Sequence, residues 1–487
     1  MLQSLLAGVL AVFAFAPFGL YPLFVFALLV LFRVWLGCSS PMQAARAGFA
    51  FGMGLFSFGV GWVYVALHDY GYMHPLLAIV ATLLFAALIS LPAALAGYLQ
   101  ARLSVSPRVR LLLLLPAAWV TAEWLRGQMF TGFPWLVGGY SQVADSPLAG
   151  YAPLLGVYGV SLALALSAGL LWWLLREGRS RAGKLALAAL CLLWLAGAGL
   201  RQVAWTQPQG EPLQVALLQG NIAQDEKFSQ ENLVRTLETY RRLVQFSAAR
   251  LVVMPETALP MLRNNVPEYY QAVLGEQMRR NGGDLLIGAF EKVDGRYYNS
   301  VYSIGSAPSQ QYRKEHLVPF GEFIPLRSVF GWLVNEVLQI PMGDLARGGK
   351  YQPPLAVAGQ QVAVDICYED AFGEDIIRAL PQATLLVNVT NDAWYGDSHA
   401  AAQHSQMSQM RALESGRMML RATNTGLTAV IGVDGRRHAA LPQHEEGVLV
   451  AEVQGYVGST PYVRWGNAAV VALLAVLLGL AWAWRQR

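Results

Sequence analysis

Apolar residues run almost unbroken through seven stretches of the first two hundred residues, at 4–20, 22–37, 48–67, 75–98, 109–126, 159–176 and 183–200, and an eighth lies at 467–484. About 20 helical residues cross a ~30 Å hydrocarbon core, so each stretch predicts a membrane-spanning helix, the shorter ones with help from their flanks. From 207 to 466 the pattern changes. Short β-rich runs at 213–219, 251–255, 284–289, 361–367 and 383–389 alternate with helical stretches at 231–249 and 402–420. That alternation predicts an α/β domain, and about 260 residues suffice for its core. The expected organisation is a seven-helix transmembrane domain over 1–206, an α/β domain over 207–466, and an eighth transmembrane helix with a short tail over 467–487. Ala14-Phe15-Ala16 looks like a signal-peptide cleavage site, but no positive charge precedes it, so the first run is expected to remain as a helix.

Composition sharpens this division. The 487-residue chain is 55% hydrophobic and only 14% charged, against roughly 25% charged in soluble domains, which excludes a single soluble domain. Among the 31 acids only Asp69, Glu123, Asp145 and Glu177 precede residue 211. One set of loops and ends collects Arg33, Arg46, Arg102, Arg108, Arg110, Arg176, Arg179, Arg181, Lys184, Arg485 and Arg487, while the short loops of the other side hold only Arg126. The positive-inside rule then puts both termini in the cytoplasm and the α/β domain on the extracytoplasmic face of a bacterial membrane. A net charge of +4 with scattered basic residues excludes a nucleic-acid partner.

Cys38 and Cys191 fall in or beside apolar runs, leaving Cys367 as the lone thiol of the polar part; no disulfide framework follows. Such a cysteine is either a buried core residue or a nucleophile, and its neighbours decide. Glu256 ends the run Leu251-Val252-Val253-Met254-Pro255-Glu256, Lys314 follows Tyr312-Arg313, and Cys367 ends Val362-Ala363-Val364-Asp365-Ile366-Cys367. Residues at strand carboxyl ends converge on the open edge of an α/β sheet, where ligands bind. There a carboxylate can take the thiol proton, the thiolate can attack a carbonyl, and the ammonium can stabilise the thiolate and the ensuing oxyanion. Taken singly, each residue is equally well a turn, surface or core residue.

Together, Glu256, Lys314 and Cys367 resemble the Glu-Lys-Cys triad of the nitrilase superfamily, with Pro255-Glu256, the block from Arg313-Lys314 to Glu322, and Ile366-Cys367-Tyr368-Glu369 matching its three motif regions. With seven apolar stretches before the domain and one after it, the chain resembles the membrane-embedded branch of that superfamily, the apolipoprotein N-acyltransferase family. The likeness extends over the whole chain. It is carried by Ala14-Phe15-Ala16-Pro17-Phe18-Gly19, Glu123-Trp124-Leu125-Arg126-Gly127, Gln219-Gly220-Asn221-Ile222, the string from Val318 to Pro325, Asn391-Asp392-Ala393-Trp394-Tyr395-Gly396, and the stretch from Gln403-His404 to Thr425-Gly426. Two positions depart from the family: Met254 stands where Trp is expected before Pro-Glu, and Phe228 where Trp is expected after Lys227. Both remain large and apolar, so the departures bear on substrate contacts and not on the chemistry.

The resemblance implies an α-β-β-α sandwich beside the membrane helices and a two-step acyl transfer. Glu256 deprotonates Cys367, which takes an acyl chain from a membrane phospholipid, phosphatidylethanolamine being the expected donor. Lys314 helps hold the oxyanion. The α-amine of a diacylglyceryl-cysteine at an apolipoprotein N-terminus then discharges the thioester. Thioester to amide is downhill, so no cofactor or metal is expected. Glu322 is expected to orient Lys314, Tyr368 and Glu369 to support the nucleophile, and Trp394 and Phe228 to contact substrate. Glu123 and Arg126 read as a structural i,i+3 pair. His404, Arg411, Arg417 and Arg421 recur at roughly helical spacing, which predicts a charged helix face, with phosphate headgroups as the functional alternative. A monomer is the default, since membrane anchoring already brings the substrates close. Two rivals are a membrane-tethered amidase of the nitrilase type that hydrolyses small amides, and a transporter or receptor whose outer domain only binds ligand.

Overall fold

The computed structural model describes residues 1–225, 227, 229–324 and 344–485. The chain divides into two compact units, one comprising 1–64, 75–204 and 464–487, the other 65–74 and 205–463. Ten residues from within the apolar part of the sequence therefore fold with the second unit.

The first unit is helical. Three of its helices, Pro75–Ala101, Pro147–Glu177 and Arg181–Leu200, are long and apolar enough to cross a membrane; a fourth span arises if the bent pair Pro41–Gly59 and Trp62–Tyr70 counts as one. Leu2–Val12, Pro22–Gly37 and Ala468–Ala483 are apolar but shorter. The helix at Pro41 starts where Ser40 accepts a hydrogen bond from the Gln43 N–H and Pro occupies the first turn, both favoured at helix N-termini. Glycines let these helices touch through their main chains. A Cβ on Gly97 would stand 2.4 Å from the Ala44 carbonyl oxygen, and one on Gly48 would stand 2.3 Å from that of Ala93. Small residues at such crossings allow the close packing on which helix association in lipid depends.

The second unit holds two sheets. The first has the strand order β13-β1-β2-β4-β5-β6, with β3 beside β4; the second runs β12-β11-β10-β9-β8-β7. The strands of the first are β1 Thr206–Gln219, β2 Leu251–Val253, β3 Leu259–Leu262, β4 Asp284–Val293, β5 Arg296–Gly305, β6 Gln311–Arg313 and β13 Gly447–Gly458. Those of the second are β7 Leu355–Val357, β8 Gln360–Ile366, β9 Leu385–Thr390, β10 Met419–Thr423, β11 Ala429–Ile431 and β12 Arg437–Ala440. Helices Gln230–Gln245 and Glu268–Arg280 pack on the first sheet through Tyr240, Val244, Leu274 and Met278. Helix Ala400–Ser415 packs on the second through Ala412. The sheets meet each other through their remaining faces, where Thr423 of β10 donates to Gln219 of β1 at 3.3 Å. This is the layered arrangement of a nitrilase-like fold.

In each sheet a run of parallel strands, β1-β2-β4 and β8-β9-β10, sends its carboxyl ends the same way. Two of the elements that differ from the sequence reading show why. β1 begins at Thr206, seven residues early, because its polar first half pairs with β13 as an exposed ribbon. Helix Ala400–Ser415 stops short of the predicted 420 because Gly416 adopts φ +64°, the left-handed cap that ends helices, after which Met419 opens β10.

Candidate active site

Glu256 lies three residues beyond β2, Lys314 directly after β6, and Cys367 directly after β8. All three are buried. The strand pattern brings Glu256 and Lys314 together: Lys314 Nζ stands 3.6 Å from Glu256 Oε1 and donates to Glu322 Oε1 at 2.9 Å. Glu256 is fixed from both sides, Oε1 accepting from Asn299 Nδ2 at 2.7 Å and Oε2 from the Asn391 N–H at 2.9 Å. Glu322 Oε2 accepts from the Val318 N–H at 2.8 Å, so the string around Val318-Pro319-Phe320-Gly321 folds into a turn that aims this carboxylate at Lys314. Gly288 of β4 passes beneath the Glu256 turn, where a Cβ would stand 2.3 Å from the Pro255 carbonyl oxygen.

Burial alone would push the Lys314 ammonium down, but Glu322, Glu256 and Cys367 outweigh it and hold its pKa above the ordinary lysine value, so it is charged at neutral pH. Burial pushes the Cys367 thiol well up; Glu256 pushes the same way and Lys314 against. The resting sulfur is therefore a protonated thiol, and its proton must leave as it attacks. Cys367 itself sits at φ +55°, a left-handed conformation costing a non-glycine residue on the order of 1–3 kcal/mol. Asn388 Nδ2 at 3.2 Å and His404 Nε2 at 3.1 Å hold its carbonyl oxygen.

Glu369 joins two parts of the site. Its Oε1 accepts from the N–H groups of Glu315 and His316 at 2.7 and 2.9 Å, and its Oε2 from the Ile366 N–H at 2.7 Å and the Tyr312 hydroxyl at 3.0 Å. The carboxylate thus clamps the segment after Lys314 to the turn that carries Cys367. Burial pushes its pKa up to about 7 against the pull of these N–H groups and of Lys314. Tyr368 is buried and packs edge-on against His316 and Phe372.

Further residues complete the surroundings. Lys227, 1% exposed, donates from Nζ to the Glu256 carbonyl at 3.2 Å. Burial pushes its pKa down to about 8 despite the pull of Glu256 and Cys367. Asn391 Nδ2 donates to Gln224 at 2.7 Å, and Asn424 Nδ2 to Asn391 Oδ1 and the Ile222 carbonyl at 3.0 and 2.7 Å. These bonds tie together the Gln219–Ile222, Asn391–Gly396 and Arg421–Gly426 strings.

His404 and Arg421 are fully buried and pair with Asp370 and Asp392. Arg411 pairs with Glu414 at 3.1 Å, and Arg417 donates to the carbonyls of Ala383 and Gly458 at 2.7 and 2.8 Å. None of the four lies on a solvated face: helix Ala400–Ser415, which carries His404 and Arg411, is buried along its whole length, and Arg417 and Arg421, beyond its end, are buried as well. Carboxylates and carbonyls, long-range for all but the Arg411–Glu414 pair, satisfy them inside the domain.

Trp394 is 43% exposed, in the turn after β9, with Tyr70 edge-on at 6.1 Å. Phe228, Pro325 and Arg487 lie outside the described residues. In the helical unit Glu123 accepts from the Gly138 N–H at 2.9 Å and Arg126 donates to the Phe133 and Trp135 carbonyls, the latter at 2.6 Å. Both residues pin the loop between them and Gly138. Among the described residues no group of three His, Cys, Asp or Glu could hold a metal ion.

Residues 7–170 match the family model of the apolipoprotein N-acyltransferase N-terminal domain, and residues 214–462 that of carbon-nitrogen hydrolases. An apolipoprotein N-acyltransferase of Nitrosomonas europaea is 52% identical over 97% of this chain and 94% of its own length. One of Methylococcus capsulatus is 44% identical over 100% of this chain and 96% of its own. One of Chromobacterium violaceum is 44% identical over 100% and 94%. Matched on both its helical and its sheet-bearing parts, and related over its full length, the chain belongs to the apolipoprotein N-acyltransferase family, with a carbon-nitrogen hydrolase domain in its second part.

Proposed function

We propose that the chain moves a fatty acyl group from a membrane phospholipid to the α-amine of an N-terminal diacylglyceryl-cysteine, through a thioester on Cys367. One observation carries this reading: a buried carboxylate and ammonium, Glu256 and Lys314, 3.6 Å apart, share a domain core with a protonated cysteine at a left-handed strand end.

In the first step Sγ of Cys367 attacks the donor's ester carbonyl carbon while Glu256 takes the thiol proton. The C–S bond forms, the C–O bond breaks, and Glu256 returns the proton to the departing lysophospholipid oxygen. Lys314, kept cationic by Glu322 and Glu256, supports the negative charge on the tetrahedral oxygen. In the second step the amine nitrogen attacks the thioester; the C–N bond forms, the C–S bond breaks, and the amine proton passes through Glu256 back to sulfur. Glu322 positions Lys314, and Tyr368 and Glu369 hold the nucleophile's turn. Trp394 and Phe228 contact the acyl donor. Phosphatidylethanolamine is the donor expected, and the acceptor is a diacylated apolipoprotein.

For the chain as a whole the reading is eight membrane crossings, seven before the catalytic domain at 207–466 and one over 467–484, in the bacterial inner membrane. Both termini are cytoplasmic, the domain is periplasmic and the protein works as a monomer. Purified protein incubated with phosphatidylethanolamine and no acceptor should gain an acyl group on Cys367 that neutral hydroxylamine removes, as read by peptide mass spectrometry. The adduct should be absent in Cys367→Ala and be discharged by a diacylglyceryl-peptide with a free amine. A folded protein in lipid that forms no adduct overturns the phospholipid-donor reading and leaves amide hydrolysis as the next activity to assay.

A further inference from the structure

Three charged side chains from three elements surround one buried imidazole. His404 comes from helix Ala400–Ser415, Asp370 from the turn after β8, Asp392 from the turn after β9 and Arg421 from β10, and all are buried. His404 Nδ1 meets Asp392 Oδ1 at 2.8 Å, while Nε2 lies 2.9 Å from Asp370 Oδ1 and 3.1 Å from the main-chain oxygen of Cys367. Arg421 reaches both carboxylates, Asp370 at 3.2 Å and Asp392 at 2.9 Å.

The protonation state follows from the partners. A peptide carbonyl oxygen only accepts, so Nε2 carries a hydrogen. Asp392, already paired with Arg421, is an acceptor as well, so Nδ1 carries one too; an imidazole with both hydrogens is a cation. Burial and Arg421 push its pKa down, but Asp370 and Asp392 outweigh them and bring it to about 9. The cluster then holds two positive and two negative charges. Neutralising His404 would leave an unbalanced negative charge beside the nucleophile's peptide, opposing ionisation of the thiol. The Tyr395 ring also lies near it, edge-on at 6.5 Å, and Ser408 of its own helix binds Asp370.

We propose that His404 is a positioning residue for the nucleophile, a protonated imidazolium that holds the Cys367 carbonyl, fixes the left-handed conformation of that residue and offsets the charge developing on its sulfur. The inference rests on Cys367 being the nucleophile.

The test uses full-length protein in detergent carrying Cys38→Ala and Cys191→Ala, so that iodoacetamide reports on Cys367 alone. With His404→Gln added, alkylation at pH 8 should slow about tenfold and its pH profile should move up by about one unit. Single-turnover acylation from phosphatidylethanolamine should slow by a similar factor. A purely packing role gives the opposite sign, because a loosened core exposes the thiol and speeds alkylation. Unchanged or faster alkylation in a folded His404→Gln protein overturns the proposal. Should that variant fail to fold, the pair His404→Gln with Asp370→Asn removes one charge of each sign, so the pH profile of alkylation should stay with that of the parent; a profile still moved up by about one unit overturns the proposal. The unmutated protein supplies an independent check: in histidine-15N spectra at pH 7.5 one imidazole should hold both nitrogens protonated, and its absence overturns the proposal. If Cys367→Ala still transfers acyl groups, the nucleophile reading fails; a dead Cys367→Ala beside a normal His404→Gln refutes the present inference alone.

Discussion

In the helical unit the tightest approaches are between main chains at glycine, and buried hydroxyls turn to their own helix, as Ser90 does to Ala86 at 2.6 Å and Ser167 to Ala163 at 2.8 Å. The sheet unit has glycine approaches too, as at Gly288, but it adds buried ion pairs whose partners come from far along the chain, as Arg421 and Asp370 do across 51 residues. The two regions are held by different physics. An apolar surrounding gives helices no hydrophobic reason to associate, so shape and close contact decide. A domain that buries ions must instead balance each one, because an unpartnered buried charge costs several kcal/mol.

The largest effect should come from breaking that balance. Arg421→Met leaves Asp370 and Asp392 paired with His404, and should destabilise the protein by about 3–5 kcal/mol, read as a fall in the melting temperature of the sheet unit. A smaller loss would mean the cluster is partly redundant. The glycine crossings of the helical unit should respond to volume. Gly97→Val drives a side chain into the Ala44 carbonyl and should cost about 1–3 kcal/mol, with no dependence on pH between 6 and 8. A pH-dependent loss there would blur the distinction between the regions.

The smallest effect concerns Glu369, whose carboxyl is pushed up to about 7 by burial. Between pH ~4.3, where an unfolded glutamate releases its proton, and pH 7, the folded state holds a proton that the unfolded state has lost. This group therefore adds stability as pH falls through that window. The ionised form, however, is the one that accepts all four bonds of the clamp. Acyl transfer should decline below pH 7, by about tenfold at pH 6, without a matching fall in melting temperature. Glu369→Gln should be slow and lack this acid limb; an acid limb that persists unchanged in the variant would exclude Glu369 as its origin.

The chain announces some of this arrangement and conceals the rest. Glu256 and Cys367 are legible because each closes a short apolar run, and strand ends are where a sheet gathers its chemistry; Lys314, after the polar Gln311-Tyr312-Arg313, is legible only beside them through its motif. Glu322 is legible only through its motif. Asn299 and Lys227 leave no local trace: Asn299 stands inside the run Tyr297-Tyr298-Asn299-Ser300-Val301 of β5, and its role depends on β2 lying two strands away. His404 and Arg421 mislead for a related reason. Polar residues at helical spacing imply a wet face when only one helix is considered, whereas carboxylates from two other turns make that face dry. The long polar start of β1 is concealed because a ribbon paired with β13 needs no apolar alternation.

The grouping of residues 65–74 with residues 205–463 bears on how the catalytic part can be produced alone. The polypeptide passes between the units four times, so a fragment cut at residue 205 omits a piece of its own fold. Such a fragment would lack Tyr70, the aromatic neighbour of Trp394. Supplying 65–74 in trans as a peptide, or grafting it ahead of 205 through a linker, should raise the fragment's melting temperature and quench Trp394 fluorescence, and a fragment indifferent to it would show that the segment is a passenger.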